Sequence, residues 1–322
     1  MTTTTSRSAI AATGLRKSFG DKVVLDGIDL SVAEGTIFAL LGPNGAGKTT
    51  AVQILSTLIG FDGGQVCVAG HDISRDPDAV RDVIGVTGQF SAVDNLLTGR
   101  ENLNLMADLR HLRRTEGRRR TAQLLEQFDL VEAGLKPAST YSGGMRRRLD
   151  LAMTLVGDPR IIFLDEPTTG LDPRSRLTMW QIIRDLVADG VTIFLTTQNL
   201  DEADQLAGRI AVLDDGRLIA EGSPGELKRR IPGGHIRLEF TDPEGLEAAA
   251  EALGGSTRDD EALALQVPGT GDVGSLRTLL GELDRASIEV DSISLHTPDL
   301  DDVFLALTGH AEDEPDQERE AV

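Results

Sequence analysis

The chain alternates between short, unbroken apolar runs and longer stretches whose apolar residues recur every three to four positions. Three of the runs, "TIFALLG" (36–42), "IIFLDEP" (161–167) and "VTIFLTT" (191–197), lead into turn residues and then into helical spacing. Runs this short, with no polar face, predict strands covered on both sides, and hence an α/β domain with a largely parallel sheet. From about 93 to 157 the pattern changes. Leu103, Met106 and Leu109, then Leu124, Leu125 and Phe128, fall at helix spacing and predict a helical insertion. "IPGG" (231–234) reads as a linker. Beyond it, "HIRLEF" (235–240) and "ALALQV" (262–267) alternate like half-buried strands, and "GSLRTLLGELDRA" (274–286) has helical spacing. The expected organisation is a main domain over 1–231, a small α+β domain over 232–310, and a tail over 311–322, "AEDEPDQEREAV". That tail is too poor in apolar residues to fold and is expected to be disordered.

Charge sharpens this division. Of the net −20, residues 1–231 carry −3 and residues 232–322 carry −17. An acidic surface repels a phosphate backbone, so nucleic acid is not an expected partner. The basic run "RRTEGRRR" (113–120) reads as a solvated helix face or turn. The single cysteine, Cys67 in "GQVCVAG", cannot form an intrachain disulfide and reads as a small strand-core residue in a reducing compartment. "MTTTTSRSAI" lacks the pattern of a signal peptide, and no apolar stretch approaches the roughly 20 residues that span a bilayer. A cytosolic chain is expected, and any membrane process would need spanning helices from a partner.

The chemistry begins at "GPNGAGKTT", which follows one apolar strand and opens a helical pattern. Gly42, Pro43, Asn44, Gly45, Ala46 and Gly47 form a loop whose backbone N–H groups can close around phosphate oxygens. The helix N-terminus behind them, at Lys48, Thr49 and Thr50, favours negative charge. Lys48 can reach the β- and γ-phosphates, and the Thr49 hydroxyl can ligate Mg2+. "IIFLDEP" ends in two carboxylates that alternation sends in different directions. Asp165 is suited to Mg2+ and Glu166 to polarising the attacking water. An acidic pair at a strand end can also be a cap or turn, but Lys48 favours the phosphate site.

"TYSGGMRRRLDLAMTLVGDP" (140–159) has Ser142 as an N-cap and Met145, Leu149, Ala152 and Val156 at helix spacing, which makes a second anion-binding helix start. With this motif the chain resembles the ATP-binding-cassette (ABC) ATPases over roughly residues 9–225. Gly42–Thr49 matches Walker A, Ser142-Gly143-Gly144 the signature, and Ile161–Glu166 Walker B. The resemblance implies a P-loop NTPase, RecA-like core with a helical subdomain, binding ATP and Mg2+. It further matches Phe19 to the aromatic that stacks on adenine. Gln89 corresponds to the Q-loop glutamine, which joins the Mg2+ and water site to the subdomain touching the transporter. Asp172 corresponds to the loop that reaches across to a second cassette. It implies a homodimer in which the signature of one chain meets the γ-phosphate held by the other.

Gln198 stands where most of these ATPases carry a histidine. An amide can donate to the γ-phosphate and accept from water, but it cannot become a cation near neutral pH. With Lys48, Thr49, Gln89, Asp165 and Glu166 all present, an active enzyme is expected. "TTQNLDEADQL" and "YSGGMRRR" resemble the daunorubicin-resistance subfamily of exporter ATPase subunits, as does "PDLDDVFLALTG" (298–309). In that last segment Leu300, Val303, Phe304 and Leu307 would share one helix face, with Thr297 as N-cap and Pro298 in the first turn. The resemblance implies an ATPase peripheral to the cytoplasmic face of the membrane. It would serve a separate multi-pass permease and drive efflux of a drug, an antibiotic or a hydrophobic lipid. The alternatives are a soluble ABC ATPase acting on ribosomes or DNA, and a nucleotide sensor that does not hydrolyse. The first would usually carry paired cassettes or long coiled coils, neither of which occurs here, and Glu166 weighs against the second.

Overall fold

A computed structural model of the chain describes residues 8–88, 91–230, 234–260, 262–268, 273–296 and 298–308. By contacts it divides into two units, Met1–Pro224 and Gly225–Val322.

The first unit contains two sheets. β1 (Ser8–Phe19), β2 (Lys22–Ala33), β4 (Gly63–Val68) and β5 (His71–Asp72) form an antiparallel sheet in the order β2-β1-β4-β5. The other sheet combines β3 (Ile37–Leu41), β6 (Ile84–Thr87), β7 (Ile161–Asp165), β8 (Thr192–Thr197), β9 (Arg209–Asp214) and β10 (Arg217–Gly222), in the order β10-β9-β3-β8-β7-β6. All its pairings are parallel except β9 with β10. Every residue of β3, β7 and β8 is buried, which is why each appeared as an unbroken apolar run. At their centre Phe194 packs against Phe38 and Phe163, with ring centroids 5.5 and 5.7 Å apart. Register places Leu41 beside Thr197 and Asp165 beside Thr196, so the C-terminal ends of β3, β7 and β8 finish together. The crevice beyond such ends is where open α/β sheets bind ligands.

Helices α1 (Lys48–Leu55) and α2 (Pro77–Val83) flank this core. The helical region consists of α3 (Gly99–Leu109), α4 (Arg114–Gln127) and α5 (Gly143–Thr154) around buried Leu103, Leu124, Leu125, Phe128 and Leu149. Thr98 and Glu101 close the start of α3 with a reciprocal capping box. Helices α6 (Pro173–Ala188) and α7 (Leu200–Leu206) complete the unit, and a short α8 (Pro224–Lys228) follows.

In the second unit β11 (His235–Glu239), α9 (Pro243–Ala252), β12 (Thr257–Asp259), β13 (Ala264–Pro268), α10 (Val273–Ala286) and β14 (Ser292–His296) precede α11 (Leu300–Thr308). The sheet order β12-β13-β11-β14, antiparallel throughout, is that of two interleaved split β-α-β units. Leu238, Leu246, Leu265, Leu279 and Leu283 fill its core.

Three expectations change. Cys67 is half-buried rather than core, because it points away from the face on which Val66 and Val68 are buried. Leu109 shares the spacing of Leu103 but is 63% exposed at the end of α3. The start of α11 is capped at Asp299: its carboxylate accepts the Asp302 N–H (2.9 Å) and the Asp302 carboxylate accepts the Asp299 N–H (3.0 Å). Pro298 therefore precedes the cap, while Thr297 and the tail over 311–322 lie outside the described residues. Leu300 and Val303 are buried, and Phe304 and Leu307 are half-buried. Among the described residues no helix is long and apolar enough to cross a membrane.

Candidate functional site

The loop between β3 and α1 is held against its surroundings by glycines that cannot be replaced. A Cβ on Gly42 would meet the Leu213 carbonyl oxygen at 2.2 Å. Gly47, at φ 110°, would meet the Val24 carbonyl oxygen at 2.8 Å. The tight turn folds the Lys48 side chain back into the loop. Its Nζ donates to Gly42 O (2.7 Å) and Pro43 O (3.0 Å), leaving one of three donors for a ligand. The same Nζ lies 4.0 Å from Glu166 Oε1. Burial lowers the Lys48 pKa, opposed by the nearby Glu166 and Asp165 charges. Val24, Asn44, Gly45, Gly47, Lys48 and Glu166 line a cavity of about 270 Å3 at the start of α1.

The end of β7 closes the other side. Thr49 Oγ1 donates to Asp165 Oδ2 (3.0 Å), and Thr196 Oγ1, from β8, donates to Asp165 Oδ1. The carboxylate is therefore oriented by a helix start and a neighbouring strand at once. The chain then turns sharply, with Glu166 at φ 50°, a left-handed conformation that a non-glycine residue adopts only when its surroundings hold it there. Its N–H donates to Thr196 O (3.0 Å), and its Oε2 accepts from Thr169 Oγ1 (3.1 Å). Gln198 follows β8 directly and is exposed.

Lys48, Thr49, Asp165 and Glu166 thus form one cluster. The signature does not join it: among the described residues Ser142, Gly143, Gly144, Asp172 and Phe19 do not line the cavity. Ser142 caps α5 by accepting the Met145 N–H (3.2 Å). A Cβ on Gly144 would come within 2.5 Å of Ser175 Oγ, so the start of α5 packs tightly on that of α6. Asp172 caps α6, accepting from Ser175 N (2.9 Å) and Ser175 Oγ (2.6 Å), which holds its carboxyl below the usual range. Phe19 is 53% exposed at the end of β1, with Lys17 Nζ 5.2 Å from its ring centroid. Gln89 lies outside the described residues.

Other side chains around the cluster escaped the sequence motifs. Glu202 on α7 is buried and accepts from Thr168 Oγ1 (2.8 Å) and Trp180 Nε1 (3.1 Å), tying the segment after Glu166 to α6; burial raises its pKa. On α5, half-buried Arg147 lies against the Glu166 turn and pairs with buried Asp150, and burial lowers the first pKa and raises the second. The available signal was a pair of opposite charges one turn apart, Arg147 and Asp150, and the basic triplet around Arg147 masks it.

Comparison with known proteins places these features in context. The ABC transporter family model matches residues 25–169. The daunorubicin resistance ATP-binding protein DrrA2 of Streptomyces coeruleorubidus is 50% identical, over 94% of this chain and 95% of its own. The Nod factor export ATP-binding protein I of Sinorhizobium fredii is 38% identical, over 94% of this chain and 86% of its own. Among solved structures, a dimeric ATP-binding cassette in a post-hydrolysis state, bound to ADP and Pi, superimposes with a TM-score of 0.60 at 26% identity. It covers 66% of this chain and 98% of its own.

Proposed function

The chain belongs to the ABC transporter family of ATP-binding proteins, and from that premise we propose that it powers an exporter as a head-to-tail dimer beneath a separate membrane subunit. The observation that carries the dimer is the split site. Lys48, Thr49 and Glu166 line one cavity, with Asp165 hydrogen-bonded to Thr49 beside it, while Ser142 and Gly143 lie exposed at a second helix start, ahead of buried Gly144, that does not line it. Two chains placed head to tail would give each cavity the partner's signature, and ATP would act as the element that closes the pair.

Within one cavity, the loop N–H groups and the remaining Lys48 donor would hold the phosphates, with Phe19 under the adenine. Glu166 would hold the attacking water in line with the γ-phosphorus and accept its proton as the new P–O bond forms and the bond from the γ-phosphorus to the bridging oxygen breaks, with ADP and phosphate as products. Thr49 and Asp165 offer hydroxyl and carboxylate oxygens, a donor set that fits Mg2+, and Gln89 would complete it. When bound, that ion neutralises phosphate charge. Gln198 would donate to the γ-phosphate without titrating. Gln198→His is expected to retain turnover and to gain a pH-dependent limb near pH ~6.5 that the wild type lacks. Rate profiles from pH 5.5 to 8.5 check this, and a wild-type limb that vanishes on changing residue 198 would contradict it.

The first unit also offers a place for the membrane subunit. A groove of about 440 Å3 between α3, α5 and the β6 edge is lined by Leu58, Arg81, Met106, Leu109, Arg110 and Met153. Leu58 and Leu109 are 64% and 63% exposed, an apolar surface rimmed by arginines that suits a short helix of a permease. Resemblance to drug-resistance and Nod factor export proteins supports efflux of an antibiotic, a drug or a hydrophobic lipid from the cytoplasmic face. The small second domain is assigned a regulatory or assembly role.

The test is affinity purification of the tagged chain from detergent-solubilised membranes of its source cell with MgATP. A stoichiometric multi-pass membrane protein is expected. Ribosomal proteins or DNA in its place would overturn the exporter reading in favour of a soluble ABC ATPase.

A further inference from the structure

Arg147 lies against the Asp165–Pro167 turn and pairs with Asp150, one turn further along α5. The Arg147 guanidinium donates from Nε to Pro167 O (2.9 Å), and from Nη2 to Asp165 O (3.1 Å) and Glu166 O (3.3 Å). Its Nη1 reaches Gly88 O (3.0 Å), at the end of β6, and Asp150 Oδ2 (3.3 Å). Asp150 Oδ1 in turn accepts the Ala92 N–H (3.0 Å). The two side chains are only 12% and 4% exposed. Asp150 also lines the groove assigned to the membrane subunit, alongside Ala92 and Met153.

We propose that Arg147 is a positioning residue for hydrolysis: its planar fork fixes the Asp165–Pro167 turn that presents Glu166, and with Asp150 it fastens that turn to the chain at Gly88 and Ala92 on the groove side. Three consecutive carbonyls of the turn converge on this one side chain. The turn they belong to holds Glu166 in a left-handed conformation, which relaxes unless its surroundings over-determine it. Only a guanidinium presents enough donors in one plane to reach all of them. A lysine ammonium in the same place is a point charge that meets one or two. The arrangement also gives a path of direct contacts from groove to catalytic turn, through Ala92, Asp150 and Arg147. Arg147 does not line the cavity around Lys48, so nucleotide binding is independent of it.

The inference rests on the reading of Glu166 as the water-polarising carboxylate. It is tested in the full-length chain with Arg147→Lys, which keeps the charge and loses the fork. The measurements are MgATP turnover, affinity for a fluorescent ATP analogue, and the thermal midpoint. A displaced Glu166 should lower kcat by about 100-fold, with KM and analogue affinity unchanged. If the single variant melts below the assay temperature, the paired Arg147→Gln, Asp150→Asn chain removes both charges together. It should show the same loss in kcat alone. Wild-type kcat in the folded variant, or a loss of affinity parallel to the loss of kcat, would overturn the positioning role. Glu166→Gln run alongside separates the two ideas: an inactive Glu166→Gln beside a fully active Arg147→Lys sinks only the positioning role. A fully active Glu166→Gln removes the premise itself.

Discussion

Glu166→Gln should lower MgATP turnover by about 10³-fold while leaving nucleotide binding intact, the loss typical of removing a general base. The amide has the size and shape of the carboxylate, so the turn at φ 50°, the Thr196 O contact of its N–H and the Thr169 hydroxyl bond can all persist. What disappears is the carboxylate proposed to take a proton from water. Single-turnover hydrolysis with saturating MgATP isolates that step from product release. Hydrolysis at the wild-type rate would assign the proton to another group and leave Glu166 a turn residue.

The second large effect is on binding. Lys48→Ala removes a buried ammonium whose Nζ is already placed by Gly42 O and Pro43 O, with one donor left over. A hydrogen bond to a charged group is worth about 1.5–3 kcal/mol, so the affinity for MgATP should fall roughly 10- to 100-fold. Turnover should fall with it, since on the proposed mechanism the same ammonium would face the phosphoryl group being transferred. The variant should stay folded, because the cavity beside it is open and the β3, β7 and β8 core is untouched. Titration of a fluorescent nucleotide measures the affinity, and wild-type affinity in Lys48→Ala would place the phosphates elsewhere.

Some of this was legible from residue order because it is local. The phosphate loop is contiguous, and its glycines, lysine and threonine follow a strand and open a helix without help from distant chain. Strands β3, β7 and β8 showed themselves because burial on both faces leaves none of them a run of alternating polar residues. The capping of α5 by Ser142 was likewise visible. What could not be read is set by contacts across the chain. The order β10-β9-β3-β8-β7-β6 reshuffles the strands, and apolar runs carry no label for their neighbours. Glu202 looked like one acid among several in "LDEADQL", and its burial depends on Thr168 and Trp180, 34 and 22 residues away. Arg147 was hidden in a basic triplet whose members point in different directions around one helix. Cys67 and Asp299 show the finer limit. The first was misplaced by one step of strand alternation, and the cap of α11 moved from the first threonine in sight to an aspartate nearer the helix.

The head-to-tail pair is the claim on which the mechanism depends, because one chain alone brings no signature residue to its own cavity. The most direct measurement is the solution mass of the full-length Glu166→Gln chain by light scattering on a sizing column, with and without MgATP. Without hydrolysis to reopen it, the pair should accumulate: a single chain mass in nucleotide-free buffer and twice that mass with MgATP. A mass that stays at one chain across saturating MgATP would contradict an ATP-closed dimer and leave the signature helix without the phosphate it is built to meet.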